Sequence, residues 1–236
     1  MTPLYNQEDT RPVISSGNPE LDGKMGGGIP AGTLTLIEGS SGAGKSVLSQ
    51  QIIWGALQDG FTVSLFTSES TVKSLLRQMN SINLDVLDFL LLGRLRVLPV
   101  ELGGLGENAP YILLQAIRRE MRSDIIAVDS VSAVVSSSTD SAVISLVEGL
   151  KRLTVEDISV MLTLHDETID NDLANTLRSM SDAHLRLRST QDGQRLVKTL
   201  EVAKIRGAAS VTGAIVGFDV EPGWGMRVVP ISKARG

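Results

Sequence analysis

The chain has 236 residues, 42% of them hydrophobic and 21% charged, which excludes a disordered or collagen-like chain and allows one large domain or two small ones. Its net charge of −5 and its 3% of aromatic residues argue against a nucleic-acid-binding protein, which needs basic grooves and stacking platforms. With no cysteine, and with His165 and His184 as its two histidines, it can carry neither disulfides nor thiolate chemistry nor a multi-histidine metal site.

Residues 1–14 are polar and hold Pro3 and Pro12, the pattern of an N-terminal arm, either a loose tail or a segment packed on a neighbour. Nothing there resembles a signal peptide. From Thr33 the pattern becomes regular. Residues 33–38 (TLTLIE) are β-prone and bounded by Gly32 and Gly39, so they predict a buried strand. Helical spacing over 45–57 follows, closed by Gly60, and then a strand over 62–66. Helices are predicted over 71–80, 110–122 and 141–153, and strands near 95–97 and over 125–128 and 159–164. The apolar run at 89–100 is broken by Gly93, Arg94 and Arg96 and is too short to cross a membrane. Segments 183–188 and 195–203 alternate about an Asp192-Gly193 turn signal, which predicts a β-hairpin, and a last strand is expected over 214–220. The fold class is therefore α/β: a mostly parallel sheet with helices on both faces and an antiparallel C-terminal edge. Residues 15–236 read as one domain of a soluble intracellular protein.

The sharpest motif runs from Gly39 to Ser46 and fits G-x-x-x-x-G-K-[ST], with a strand before it and a helix after it. The glycines let the backbone of Gly39, Ser40, Ser41, Gly42, Ala43, Gly44, Lys45, Ser46 and Val47 curl round phosphate oxygens. The following helix offers its N-terminal dipole to the same anion. Lys45 is placed for the β- and γ-phosphates of ATP, and the Ser46 hydroxyl for Mg²⁺. Asp129 ends the apolar run 125–128, where a carboxylate completes the shell of the Mg²⁺. Glu69, just past the 62–66 strand, is the candidate base; the competing reading is an acid opening the next helix.

Residues 16–22 (SGNPELD), 26–32 (GGGIPAG) and Lys204-Ile205-Arg206-Gly207 resemble RecA-like ATPases of the KaiC type. Within that type, residues 70–79 (STVKSLLRQM), 92–97 (LGRLRV) and 182–188 (DAHLRLR) resemble the FlaH (ArlH) family of archaellum accessory proteins, and the resemblance spans about residues 13–232. It implies a RecA-like P-loop fold and hexameric rings with nucleotide between subunits. Lys204 and Arg206 would be the basic groups reaching a neighbour's γ-phosphate. It also implies a cytoplasmic place at the membrane-bound base of the archaellum, beside the motor ATPase FlaI and the platform protein FlaJ. The function implied is an ATP-binding switch with weak or no hydrolysis; the alternative is an active KaiC-type ATPase. KaiC-type enzymes usually carry two adjacent glutamates where this chain has Glu69-Ser70, which argues against fast turnover.

Smaller signals leave choices open. His165 follows the 159–164 strand, as a γ-phosphate sensor or a surface histidine, and His184 reads as structural. Asp166, Glu167, Asp170 and Asp172 suit a solvated helix start better than a partner-binding loop. Arg94 and Arg96 flank Leu95 on one strand face, towards nucleotide, partner or water. Trp54 reads as packing, and Trp224 as a clasp in preference to an interface anchor.

Overall fold

The computed structural model describes residues 11–192, 195–208 and 213–230. The chain opens with β1 (Val13–Ile14), α1 (Pro19–Lys24) and β2 (Ile29–Pro30). The alternating core follows: β3 (Leu34–Gly39), α2 (Lys45–Gln58), β4 (Val63–Thr67), α3 (Val72–Ser81), α4 (Leu87–Leu91) and β5 (Leu95–Pro99). Next come α5 (Ala109–Arg118), β6 (Ile125–Asp129), α6 (Ser132–Ser137), α7 (Asp140–Leu153), β7 (Ser159–His165) and α8 (Asn171–Met180). The chain closes with β8 (Ala183–Asp192), β9 (Arg195–Ile205), β10 (Ile215–Glu221) and β11 (Gly225–Val229).

Nine strands form one sheet in the order β11-β10-β9-β8-β3-β7-β6-β4-β5. β8, β3, β7, β6, β4 and β5 run parallel, and β9, β10 and β11 add antiparallel neighbours beyond β8. β3, β4 and β6 are buried at every position, as strands covered on both faces must be. Alternation sends Ile37 of β3 into a core with α2 and α3, and Leu34 and Leu36 into a second core under α5, α7 and α8. Three helix starts are capped by side chains: the Asn18 amide oxygen accepts from Glu20 N–H and Leu21 N–H at α1, Thr71 and Ser74 form a capping box at α3, and the Asp170 carboxylate accepts from Asp172 N–H and Leu173 N–H at α8.

The expected elements are all present, with boundaries moved by a residue or two in most cases. α5 and β8 are the exceptions: β8 runs on to Asp192 instead of residue 188, and α5 stops at Arg118 instead of residue 122, the segment after it being a series of turns with Glu120 N–H donating to Ile117 O. The expected arm gives way to fold before residue 14: Ala31 N–H donates to Pro12 O, and β1 pairs with β2. Residues 1–10, the rest of that arm, and Gly193 of the hairpin turn lie outside the described residues. Short elements carried too few residues for a period to show: α1, α4, α6 and the β1–β2 pair. α8 follows the helix start expected at residues 166–172, and β11 is a further addition.

Candidate functional site

β3, β7, β6 and β4 are adjacent and parallel, so their carboxyl ends open on one edge of the sheet. That edge collects the phosphate loop after Gly39, His165 of β7, Asp129 of β6 and Glu69 just beyond β4. The loop turns into α2 through Gly44, whose φ of +106° is accessible to glycine and strained for other residues. A Cβ on Gly39 would meet the Leu187 carbonyl of β8 at 2.4 Å, so only glycine lets the loop leave the sheet there. Lys45, Ser46 and Val47 form the first turn of α2, where backbone N–H groups have no intrahelical acceptor. Val47 offers that N–H alone, because its side chain packs on the core.

The side chains form one network. Lys45 Nζ donates to Ser40 O at 2.8 Å and lies 3.3 Å from His165 Nδ1. Ser46 Oγ donates to Asp129 Oδ1 at 3.3 Å, and Thr163 Oγ1 donates to the same oxygen at 2.5 Å. Glu69 Oε1 accepts from Ser130 Oγ at 2.6 Å and faces His165 Nε2 at 3.2 Å. Ser132 Oγ accepts from His165 N–H at 2.9 Å. Burial lowers the Lys45 pKa, against the pull of Asp166, Glu69, Asp129 and Glu167. Burial likewise raises the Asp129 pKa, with Thr163 and Ser46 opposing through hydrogen bonds. Both groups are therefore held where their charged forms are disfavoured, which suits a site completed by a ligand of the missing charge.

The oxygen donors fit a hard divalent cation such as Mg²⁺. Ser46 Oγ and Asp129 Oδ1 would hold it beside the phosphates, where the ion neutralises charge on the phosphate oxygens. Among the described residues no group of three or more His, Cys, Asp or Glu side chains is placed to hold a metal, so such an ion would share its shell with the phosphates and water.

A family model described as "ATPase: KaiC" matches residues 14–233. The archaeal flagellar ATP-binding protein FlaH of Sulfolobus acidocaldarius is 33% identical over 228 residues, which is 94% of this chain and 99% of that protein. The chain belongs to the FlaH branch of the KaiC family. FlaH of Methanocaldococcus jannaschii is 28% identical, covering 94% of this chain and 97% of that protein. The crystal structure of flagellar accessory protein FlaH from M. jannaschii superposes with a TM-score of 0.81 at 26% identity, covering 93% of this chain and 99% of that one. The circadian clock protein KaiC of Picosynechococcus is 27% identical, and its match covers 82% of this chain but 40% of that longer protein.

Two expected residues of this FlaH-family chain stand apart from the loop. Lys204 pairs with His184 in the hairpin, His184 pairs with Leu36, and Arg206 N–H donates to Asp182 O. Asp182 N–H in turn donates to Leu34 O, so Arg206 stands near the start of β3 while the loop leaves from its end, roughly 16 Å along the strand. Lys204 Nζ donates to Arg178 O at 2.8 Å, and Arg206 pairs with Asp182 at 3.2 Å. Burial, and next the Arg206 charge, lower the Lys204 pKa.

His165 lies within the network, and Ser130 and Thr163, which the sequence reading passed over, carry its hydrogen bonds. The signal available for both was their place at or near the ends of buried strands. Arg94 is structural, donating to Leu57 O and Phe61 O and stacking over Phe89 at 5.2 Å, and Arg96 pairs with Glu120. Asp170 caps α8, in line with the helix-start reading. His184 is buried against Glu38, and Trp54 packs on the core. Trp224 is 78% exposed at the β10–β11 turn, which corrects the clasp reading. The turn is held through its backbone instead, Gly223 N–H donating to Ser81 O at 2.9 Å.

Proposed function

We propose that the chain binds ATP with Mg²⁺ at the phosphate loop and serves the archaellum motor as a nucleotide-dependent switch with weak or no hydrolysis. The observation that carries this reading is the convergence of Lys45, Ser46 and Asp129 at the mouth of a glycine loop opening on a helix N-terminus. The backbone cradle and Lys45 take the β- and γ-phosphates, and Ser46 and Asp129 take the cation. FlaH relatives, which are described as archaeal flagellar ATP-binding proteins, support the setting. No helix among the described residues is long and apolar enough to cross a membrane, so attachment at the motor base would run through partners, FlaI and FlaJ in this reading.

Arg206 stands level with the start of β3, away from the chain's own loop, and the Lys204 ammonium is turned onto Arg178 O, which supports a role towards a neighbouring subunit in a ring, hexameric as in KaiC-type proteins. A second reading is an active ATPase, favoured by the Glu69 carboxylate held at the site by Ser130 and His165. The fate of bound ATP separates the two. Protein loaded with ATP and Mg²⁺ is followed for hours and its nucleotide identified. Intact ATP is the expected result. Steady ADP formation that stops in Glu69→Gln overturns the switch reading in favour of the ATPase.

A further inference from the structure

The ammonium of Lys45 has three N–H donors and no acceptor. One is given to Ser40 O and a second points at His165 Nδ1. Because an ammonium only donates, Nδ1 is the acceptor, and a neutral ring then carries its hydrogen on Nε2, facing Glu69 Oε1. The same oxygen of Glu69 takes the Ser130 hydroxyl. The backbone of His165 is fixed at both sides, its N–H by Ser132 Oγ and its carbonyl by Thr168 Oγ1, so the ring is the part able to move.

One donor of Lys45 remains for a ligand. A diphosphate needs one, whereas a triphosphate gripped at its β- and γ-phosphates needs two. The Ser40 carbonyl belongs to the loop itself, while His165 is a side chain that can rotate away. We infer that His165 is a latch displaced by the γ-phosphate and left in place by a diphosphate, and so sets the preference of the site between ATP and ADP. This inference rests on the phosphate-loop reading above. In the closed latch His165 also faces Glu69, whose side chain is 45% exposed and keeps the Ser130 hydroxyl once the ring moves. Removing His165 therefore deletes a competing acceptor for Lys45, while Ser130 keeps its bond to Glu69. That change favours the triphosphate and leaves the diphosphate untouched.

The test measures affinities for ADP and for a non-hydrolysable ATP analogue, each with Mg²⁺, in the wild type, His165→Ala and Glu69→Ala. His165→Ala is expected to tighten the analogue about tenfold, the worth of one hydrogen bond to a charged group, with ADP affinity unchanged. Glu69→Ala, which frees the far side of the ring, moves the same way by less. An unchanged ratio overturns the latch, and so does weaker analogue binding, which makes His165 a direct ligand of the γ-phosphate. Should His165→Ala fail to fold, imidazole ¹⁵N shifts of the wild type decide. The latch requires the His165 signal to move with the analogue and stay with ADP, and equal movement with both overturns it. Failure of the wild type to bind either nucleotide would instead overturn the phosphate-loop reading.

Discussion

Glu38 lies near the end of β3 and Lys45 opens α2, yet their electrostatics run in opposite directions. Glu38 is 1% exposed, and burial alone would raise its pKa. His184, Arg178 and Arg186 overcome that and hold it at about 2. Arg178 Nε reaches both carboxylate oxygens, at 3.1 and 2.9 Å, and Arg186 Nε reaches one at 2.5 Å. His184 Nε2 stands 3.0 Å from Glu38 Oε1, the third group on that carboxylate. Around Lys45 burial wins instead, and the lysine is left with a depressed pKa among four carboxylates. One cluster is complete and ties β3 to α8 and β8. The other is incomplete and open at the sheet edge. Charges that hold a fold together are satisfied within the chain; charges that await a ligand are left short of a partner.

The contrast can be broken most forcefully at Glu38. Replacing it by Ala leaves the Arg178 guanidinium without a carboxylate and Arg186 with Glu201 alone, 3.7 Å away, and we expect a loss of ~3–5 kcal/mol in urea unfolding. A loss below ~1 kcal/mol, the level of an exposed pair, would mean that the cluster is ornamental. Acid probes the same group without mutation. A carboxylate whose pKa falls from 4.5 to about 2 on folding contributes stability that is full above its unfolded pKa and disappears as the pH falls through the folded one. That contribution is ~3 kcal/mol, so the wild type should lose melting temperature between about pH 5 and pH 2 by more than Glu38→Gln does.

Lys45→Ala sharpens the other side. ATP affinity should fall about 100-fold, the scale of a lost charge-assisted contact, while the melting temperature holds or rises because a desolvated ammonium is gone. A variant that unfolds would place Lys45 with the structural charges. Asp129→Asn should cost about tenfold in nucleotide affinity, seen with Mg²⁺ and absent in chelator, and should leave stability intact because burial already disfavours that carboxylate. The smallest effect is expected at Trp224, whose exposed ring contributes within ~0.5 kcal/mol, so Trp224→Ala should melt like the wild type.

The loop from Gly39 to Ser46, the buried strand ending at Asp129 and the βα alternation were legible because each is a local signal. Glycine spacing, an apolar run and a helical period are written in consecutive residues. Glu69 was legible for the same reason, as an acid just past a strand. The hairpin of β8 and β9 announced itself by alternation, and its KaiC-type segment at Lys204 and Arg206 by resemblance.

What only the tertiary structure decided is which of these residues meet. Strand order placed β3, β7, β6 and β4 side by side, and so brought His165 between Lys45 and Glu69 and Ser130 onto the Glu69 carboxylate. Register set Arg206 level with the start of β3, away from the loop, and Lys204 level with Leu36, its ammonium on Arg178 O. Glu38 in a β-strand gave no sign of its partners, because Arg178 and Arg186 lie 140 and 148 residues away along the chain. Local pattern records what a segment does with its neighbours in sequence. A buried charge or a histidine at a strand end takes its character from groups that arrive through folding, and those distances are set by sheet order and register.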